Sequence, residues 1–370
     1  MERLPRDLQG GRSLRQSNFE LLRIFAMLMI VAHHLSVHGK LGFAADTVTF
    51  NRLWMQFLRS GGKLGVDIFV LISGWFMIAE RKLRVGKIVR LWVQILTYSV
   101  ILFAVFTATG VESFTWKELR NRCLPVIYEH WWFVSVYFVM FLIAPFFNRL
   151  LHALSKRQYA AFLILFGVLW CLIPTVSLQD VQSNNLFWFL YVYALAGYLR
   201  LHCDLSKRTC GFYFLLAGLS VLCLFGSAVV LDVLGIRYTF FRSHTNYFFG
   251  TKMLPTIAAA VFIFLGFSRI DIGSVRWINV LSSTMFGVYL LHDDAFVRPF
   301  LWRKLLHCAS YASSRYLFLY SLLWIAGVFC CSVAVELFRI YVIEKRYLPL
   351  IDRFAGAVEK VAGKLLTKIT

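Results

Sequence analysis

Apolar residues in this chain are gathered into runs long enough to span a bilayer, separated by short polar segments. The runs occupy about 18–38, 64–80, 88–109, 131–151, 158–176, 186–201, 210–233, 252–268, 278–297 and 316–343. About twenty apolar residues make one helical crossing. The expected fold class is therefore an all-α polytopic membrane protein of about ten transmembrane helices. The end of the chain follows another pattern. After Pro349, Ile351, Phe354, Val358, Val361, Leu365 and Ile369 recur every three to four residues, with Lys360, Lys364 and Lys368 on a stripe of their own. That spacing predicts a basic amphipathic helix lying on the inner leaflet. The chain thus divides into an N-terminal tail over 1–17, a membrane domain over 18–344 and an amphipathic tail over 345–370.

Composition agrees with lipid as the solvent. The chain is 59% hydrophobic and 16% charged, whereas soluble domains run nearer half apolar and a quarter charged. Its 36 Phe, 16 Tyr and 11 Trp exceed what a soluble protein of 370 residues can hide from water. A net charge of +20 would point a soluble protein toward nucleic acid. Here the cations sit mainly in short loops, so the charge is read as orientation and contact with anionic membrane lipid, with no nucleic-acid partner expected. Placing the N-terminus inside assigns 24 of the 39 Lys and Arg to inner segments and 14 to outer loops, with Arg23 inside a span. Both termini are then cytoplasmic. No small-residue cleavage site follows the first run, so it reads as a retained span. Eight cysteines show no C-x-x-C spacing, and no zinc or thioredoxin-type site is expected. Cys123 and Cys308 both fall in expected outer loops, where a disulfide and two separate thiols both stay open.

Ionisable residues within spans are costly and therefore candidates for chemistry. Arg23 and His34 are eleven residues apart in the first run. On a helix that separation leaves them roughly 20° apart around the axis, with a rise of roughly 16 Å. Glu20 can pair with Arg23, and His33 adjoins His34. Asp67 is expected near the outer end of the second span, His130, Trp131 and Trp132 at the start of the fourth, and His292, Asp293 and Asp294 at the end of the ninth. A carboxylate beside a histidine can fix its tautomer and support general-base catalysis, and Asp67, or the acids after His292, are the candidates to orient the imidazole. His34 and His38 have the spacing of two helical metal ligands, but no third ligand is marked by spacing and no metal is expected. The densest basic run, from Arg81 through Lys82, Arg84 and Lys87 to Arg90, suits phosphate, and no Walker or Rossmann glycine pattern accompanies it.

These residues resemble the acyltransferase-3 family of membrane O-acyltransferases. Arg23 through His34 is similar to the family's arginine–ten residues–histidine motif. Gly65-Val66-Asp67-Ile68-Phe69 with Ser73-Gly74 is similar to its second-helix signature, and Phe286-Gly287-Val288-Tyr289-Leu290-Leu291-His292 to its late-helix motif. The resemblance covers about 18–344. It implies transfer of an acyl group, commonly acetyl from cytoplasmic acetyl-CoA, to a hydroxyl of a membrane-associated carbohydrate. Acetyl-CoA or another acyl-CoA is then a donor co-substrate, with no tightly bound cofactor, and the partner is a cell-surface glycan or lipid-linked saccharide at a bacterial plasma membrane. Arg23 corresponds to the family arginine and His34 to its essential histidine. The family's basic cluster maps approximately onto Arg81, Lys82, Arg84 and Arg90, without its usual paired arginines.

In this reading Arg23, Arg81, Lys82, Arg84 and Arg90 hold the donor. His34 takes the acceptor's proton, with Arg23, His33, Asp67 and His292 also in the catalytic group and His130, Trp131, Trp132, Asp293 and Asp294 facing the acceptor. An acyl-histidine route through His33 or His34 stays open. The alternative from another class is a proton-coupled exporter of glycans or lipid-linked sugars, because buried His and Asp also suit a proton relay. The sequence lacks the internal repeats or paired glycine- and proline-broken helices that many transporters show.

Overall fold

The computed structural model describes residues 16–44, 47–80 and 84–369, with side chains to Val358. Most of the expected N-terminal tail, Arg81, Lys82 and the lysine stripe at Lys360, Lys364 and Lys368 therefore lie outside the described residues or side chains. The chain is all-helical, and there is no strand among the described residues. Its principal helices are α1 (Ser17–His38), α2 (Phe50–Met77), α3 (Val85–Ala108), α4 (Trp116–Cys123), α5 (Trp132–Ala153), α6 (Lys156–Ser177), α7 (Asn185–His202), α8 (Cys210–Arg237), α9 (Leu254–Ser268), α10 (Arg276–Ser283), α11 (Met285–His292), α12 (Leu317–Phe338) and α13 (Lys345–Ile369).

Among the described residues, seven helical segments are long and apolar enough to cross a membrane, those containing α1, α3, α5, α6, α8, α9 and α12. The other three expected spans are helical but shorter or more polar. The α2 helix carries Arg52, Arg59, Lys63 and Asp67, and α7 has only 18 residues. The ninth run breaks at Thr284 into α10 and α11. The second span also starts earlier than its apolar run: α2 begins at Phe50, where the Thr49 side chain accepts from the Arg52 amide. Asp67 is thus well inside a 28-residue helix and fully buried, not at a helix end.

Small residues bring α1 and α2 together. A Cβ on Gly62 would collide with the His33 ring, and one on Gly65 would stand 2.7 Å from the Ala26 carbonyl oxygen. Such close backbone approach is how membrane helices gain packing without a hydrophobic drive between them. On its other side, Gly74 lets α2 meet the backbone of α7 at Tyr193. Elsewhere the apolar surface faces outward: on α8 Leu215, Leu219, Leu222 and Val230 are all more than half exposed. That is the arrangement expected where lipid completes the packing.

Local departures from regular helix have local causes. A π turn at Val168–Leu172 precedes Pro174 in α6, where the ring would otherwise press on the carbonyl four residues back. Another π segment, Arg339–Glu344, joins α12 to α13. Above it the buried Glu336 accepts from Gln94 and Tyr98 of α3 and from Arg339, at 2.6–2.9 Å. Its carboxyl lies directly against Gly287 of α11, so this satisfied network joins three helices. The α13 helix continues from α12 through the π segment, buries Ile351 and Ala355, packs on α3 and pairs Asp352 with Arg90 at 2.6 Å.

Candidate active site

A polar cavity of about 320 Å³ opens where the C-terminal end of α1 meets the first half of α2. Ile30, His33, His34, Val37 and His38 enter from α1, and Arg59, Gly62, Lys63 and Val66 from α2. Trp132 at the start of α5, Tyr289 of α11, and Asp293 and Arg298 just beyond α11 complete the lining.

The hydrogen bonds determine the imidazole tautomers. His292 Nδ1 lies 2.5 Å from the Val288 carbonyl oxygen. A carbonyl only accepts, so this nitrogen carries the proton. With neutral rings, His292 Nε2 is then an acceptor, and His34 Nδ1 donates to it across 2.8 Å. His34 Nε2 is left with a free lone pair. It stands 3.6 Å from Asp293 Oδ1, which also lies 3.8 Å from His38 Nε2 and 3.6 Å from Arg298 Nε. Asp293 Oδ1 is buried and has no donor in hydrogen-bond geometry among the described residues, with the Tyr289 side chain as a near neighbour of the carboxylate. His33 follows the same logic: its Nδ1 donates to the Arg59 carbonyl oxygen at 2.7 Å, leaving Nε2 as an acceptor. The arrangement can take a proton at His34 Nε2 and place the new imidazolium beside a carboxylate.

Asp293 also brings a third candidate ligand atom beside the two histidines that spacing marked. The ligand atoms of His34, His38 and Asp293 lie within 4.8 Å of one another. Arg298 already brings a fixed positive charge to the same carboxylate oxygen.

Other predicted residues are placed differently. Asp67 is not in the cavity lining; its Oδ1 accepts from Trp188 Nε1 at 2.9 Å. Of the carboxylates expected to orient the imidazole, Asp67 does not meet it and Asp293 lies 3.6 Å from His34 Nε2, while the hydrogen-bond partner of His34 Nδ1 is His292. Asp294 is fully buried and receives Arg122 Nη1 at 2.6 Å, a pair that locks α4 to the segment after α11. Trp131 is 1% exposed and belongs to the core, while Trp132 faces the cavity with Lys63 Nζ 3.9 Å above its ring. His130 lies outside the lining.

Arg23 sits toward the opposite end of α1. It pairs with both oxygens of Glu20 at 2.9–3.0 Å, and Ser282 of α10 donates to the same carboxylate. Its guanidinium and that of Arg200 both lie about 6 Å from the Phe76 ring. Arg84 and Arg90 are about half exposed and pair with Glu80 and Asp352. They are not joined to Arg23 by any contact among the described residues.

Three cavity residues, Arg59, Lys63 and Arg298, were counted from sequence only as loop cations. The signal that identifies two of them is the four-residue spacing Arg59–Lys63–Asp67, which puts one side of a helix in register once α2 is known to start at Phe50.

The fold and site define a helical membrane protein with a buried histidine pair opening on a cavity lined by charged side chains. The chain's own family is more particular. Residues 16–338 match the Acyl_transf_3 family model, described as an acyltransferase domain, and the chain belongs to that family. No curated protein and no solved structure matches it.

Proposed function

We propose that this membrane acyltransferase moves an acetyl group from cytoplasmic acetyl-CoA to a hydroxyl of a cell-surface carbohydrate or its lipid-linked precursor, in a bacterial plasma membrane. The observation that carries the reading is the Val288–His292–His34 hydrogen-bond chain, which leaves a free imidazole lone pair facing a polar cavity. The acceptor oxygen attacks the thioester carbonyl carbon while its proton passes to His34 Nε2. Asp293, 3.6 Å away, offsets the imidazolium charge. Collapse of the tetrahedral intermediate breaks the carbon–sulfur bond, and the proton on His34 goes to the departing thiolate, releasing CoA.

In the ten-span reading with both termini cytoplasmic, α2, α7 and the α10–α11 pair are the three polar or short spans. Arg23 then faces the cytoplasm and His34 the outer half of the membrane. Arg23 and Arg84 are suited to the CoA phosphates, and the pantetheine arm runs along α1 toward His34. The test compares O-acyl content of surface glycans from cells with the protein, without it, and with His34→Ala at equal expression. Loss of acylation in the last two is expected. Unchanged acylation accompanied by altered glycan export would overturn the reading in favour of transport.

A further inference from the structure

The cavity is unbalanced in charge. Arg59, Lys63 and Arg298 face it, and the single acid in its lining is Asp293, which is already 3.6 Å from Arg298. Arg59 and Lys63 have no carboxylate within 4.0 Å among the described residues. Lys63 instead sits over the Trp132 ring, with Asp67, one turn further along α2, and Asp293 acting on it only at longer range; Asp67 Oδ1 is hydrogen-bonded to Trp188. Cations withdrawn from water need a counter-charge, and within a membrane they face a cavity or each other's partners rather than lipid. Snorkelling to headgroups would turn these side chains away from the bundle. Here they share a lining with Gly62 and Val66 on the side of α2 that packs on α1.

The opposite wall has complementary chemistry. His33 Nε2, His34 Nε2 and Asp293 Oδ1 are all acceptors on the tautomers derived above. That wall accepts from hydroxyls, and the α2 wall attracts an oxyanion.

We infer that the acceptor is an anionic saccharide, its hydroxyl presented to His34 and its carboxylate or phosphate held by Arg59 and Lys63. This rests on the acyltransferase reading for the role of His34, but the charge preference can be measured without turnover. Full-length protein in detergent is titrated with two matched pairs: trigalacturonic acid against its methyl ester, and N-acetylglucosamine 1-phosphate against N-acetylglucosamine. The charged member of at least one pair is expected to bind about 10- to 100-fold more tightly, the worth of a charge-assisted hydrogen bond. The pair that shows the difference tells carboxylate from phosphate. The Arg59→Gln/Lys63→Gln double variant should erase it, and Arg59→Lys/Lys63→Arg should retain it, each at wild-type monodispersity. Equal binding within both pairs, or a preference that survives in the double glutamine variant, overturns the inference. Release of CoA from acetyl-CoA in the presence of the same compounds is read separately. Charge-selective binding with no CoA release under any acceptor condition would count against the acyltransfer reading and leave the anion site standing. CoA release with equal use of charged and neutral acceptors would do the reverse.

Discussion

Replacing His292 by Phe removes the acceptor for His34 Nδ1–H while leaving an aromatic ring in the α11 position. The donor is buried, and stranding such a group costs about 1–3 kcal/mol. The imidazole escapes that cost by moving its proton to Nε2, where the cavity can solvate it, and this occupies the lone pair that accepts the substrate proton. At about 1.4 kcal/mol per decade, kcat should fall roughly 5- to 150-fold. Removing the base itself in His34→Ala should cost about 10²- to 10⁴-fold. His292→Gln keeps an oxygen where Nε2 stood and should remain within about tenfold of wild type, because one neutral hydrogen bond is retained at altered length. The assay is release of CoA thiol from acetyl-CoA by protein in proteoliposomes supplied with native membrane glycan. Because the two histidines act as one unit, His34→Ala/His292→Phe should be no slower than His34→Ala alone. A wild-type kcat in His292→Phe, or multiplicative losses in the double variant, would refute the relay.

Other expectations follow from the same contacts. Arg122→Leu leaves the fully buried Asp294 without its 2.6 Å partner. That should lower stability by about 3–5 kcal/mol, read as a drop in the thermal midpoint in detergent, with partial recovery in Arg122→Leu/Asp294→Leu. Gly62→Ala forces a methyl group into the His33 ring and should cost about 1–3 kcal/mol in the same measurement; an unshifted midpoint would mean α1 and α2 separate freely there. Arg84→Gln removes an ion pair whose arginine is 55% exposed, so stability should change by less than about 1 kcal/mol. Arg23→Gln should raise the KM for acetyl-CoA by about 10- to 100-fold, as expected for losing a charge-assisted contact, and leave acceptor binding as it was. A KM effect confined to the acceptor would move Arg23 out of the donor site.

Run length and helical spacing are local properties, and what depended on them was legible in the chain. All ten apolar runs are helical, because an apolar run in lipid must satisfy its backbone internally. Arg23 and His34 lie along α1 with the former bound to Glu20 one turn away. The start of α2 was hidden because Asn51, Arg52 and Gln56, and then the polar stretch from Arg59 to Lys63, interrupt its apolar residues. Contacts with distant segments hold the helix back to Phe50, Asn51 meeting Ala312, Arg52 and Gln56 meeting Asp232 of α8, and Trp54 meeting Ser321 of α12. The partner of His34 was also hidden. His292 is 258 residues away and Trp188 is 121 residues from Asp67, so only the closure of the bundle decides which buried polar group meets which. Sequence alone determined a polytopic helical protein with a costly arginine and histidine on its first helix. Tertiary structure decided that His34 meets His292 through one ring nitrogen and Asp293 beside the other, that Asp67 meets Trp188 instead, and that Arg59 and Lys63 line the same cavity, since contacts between distant helices depend on packing that no local pattern records.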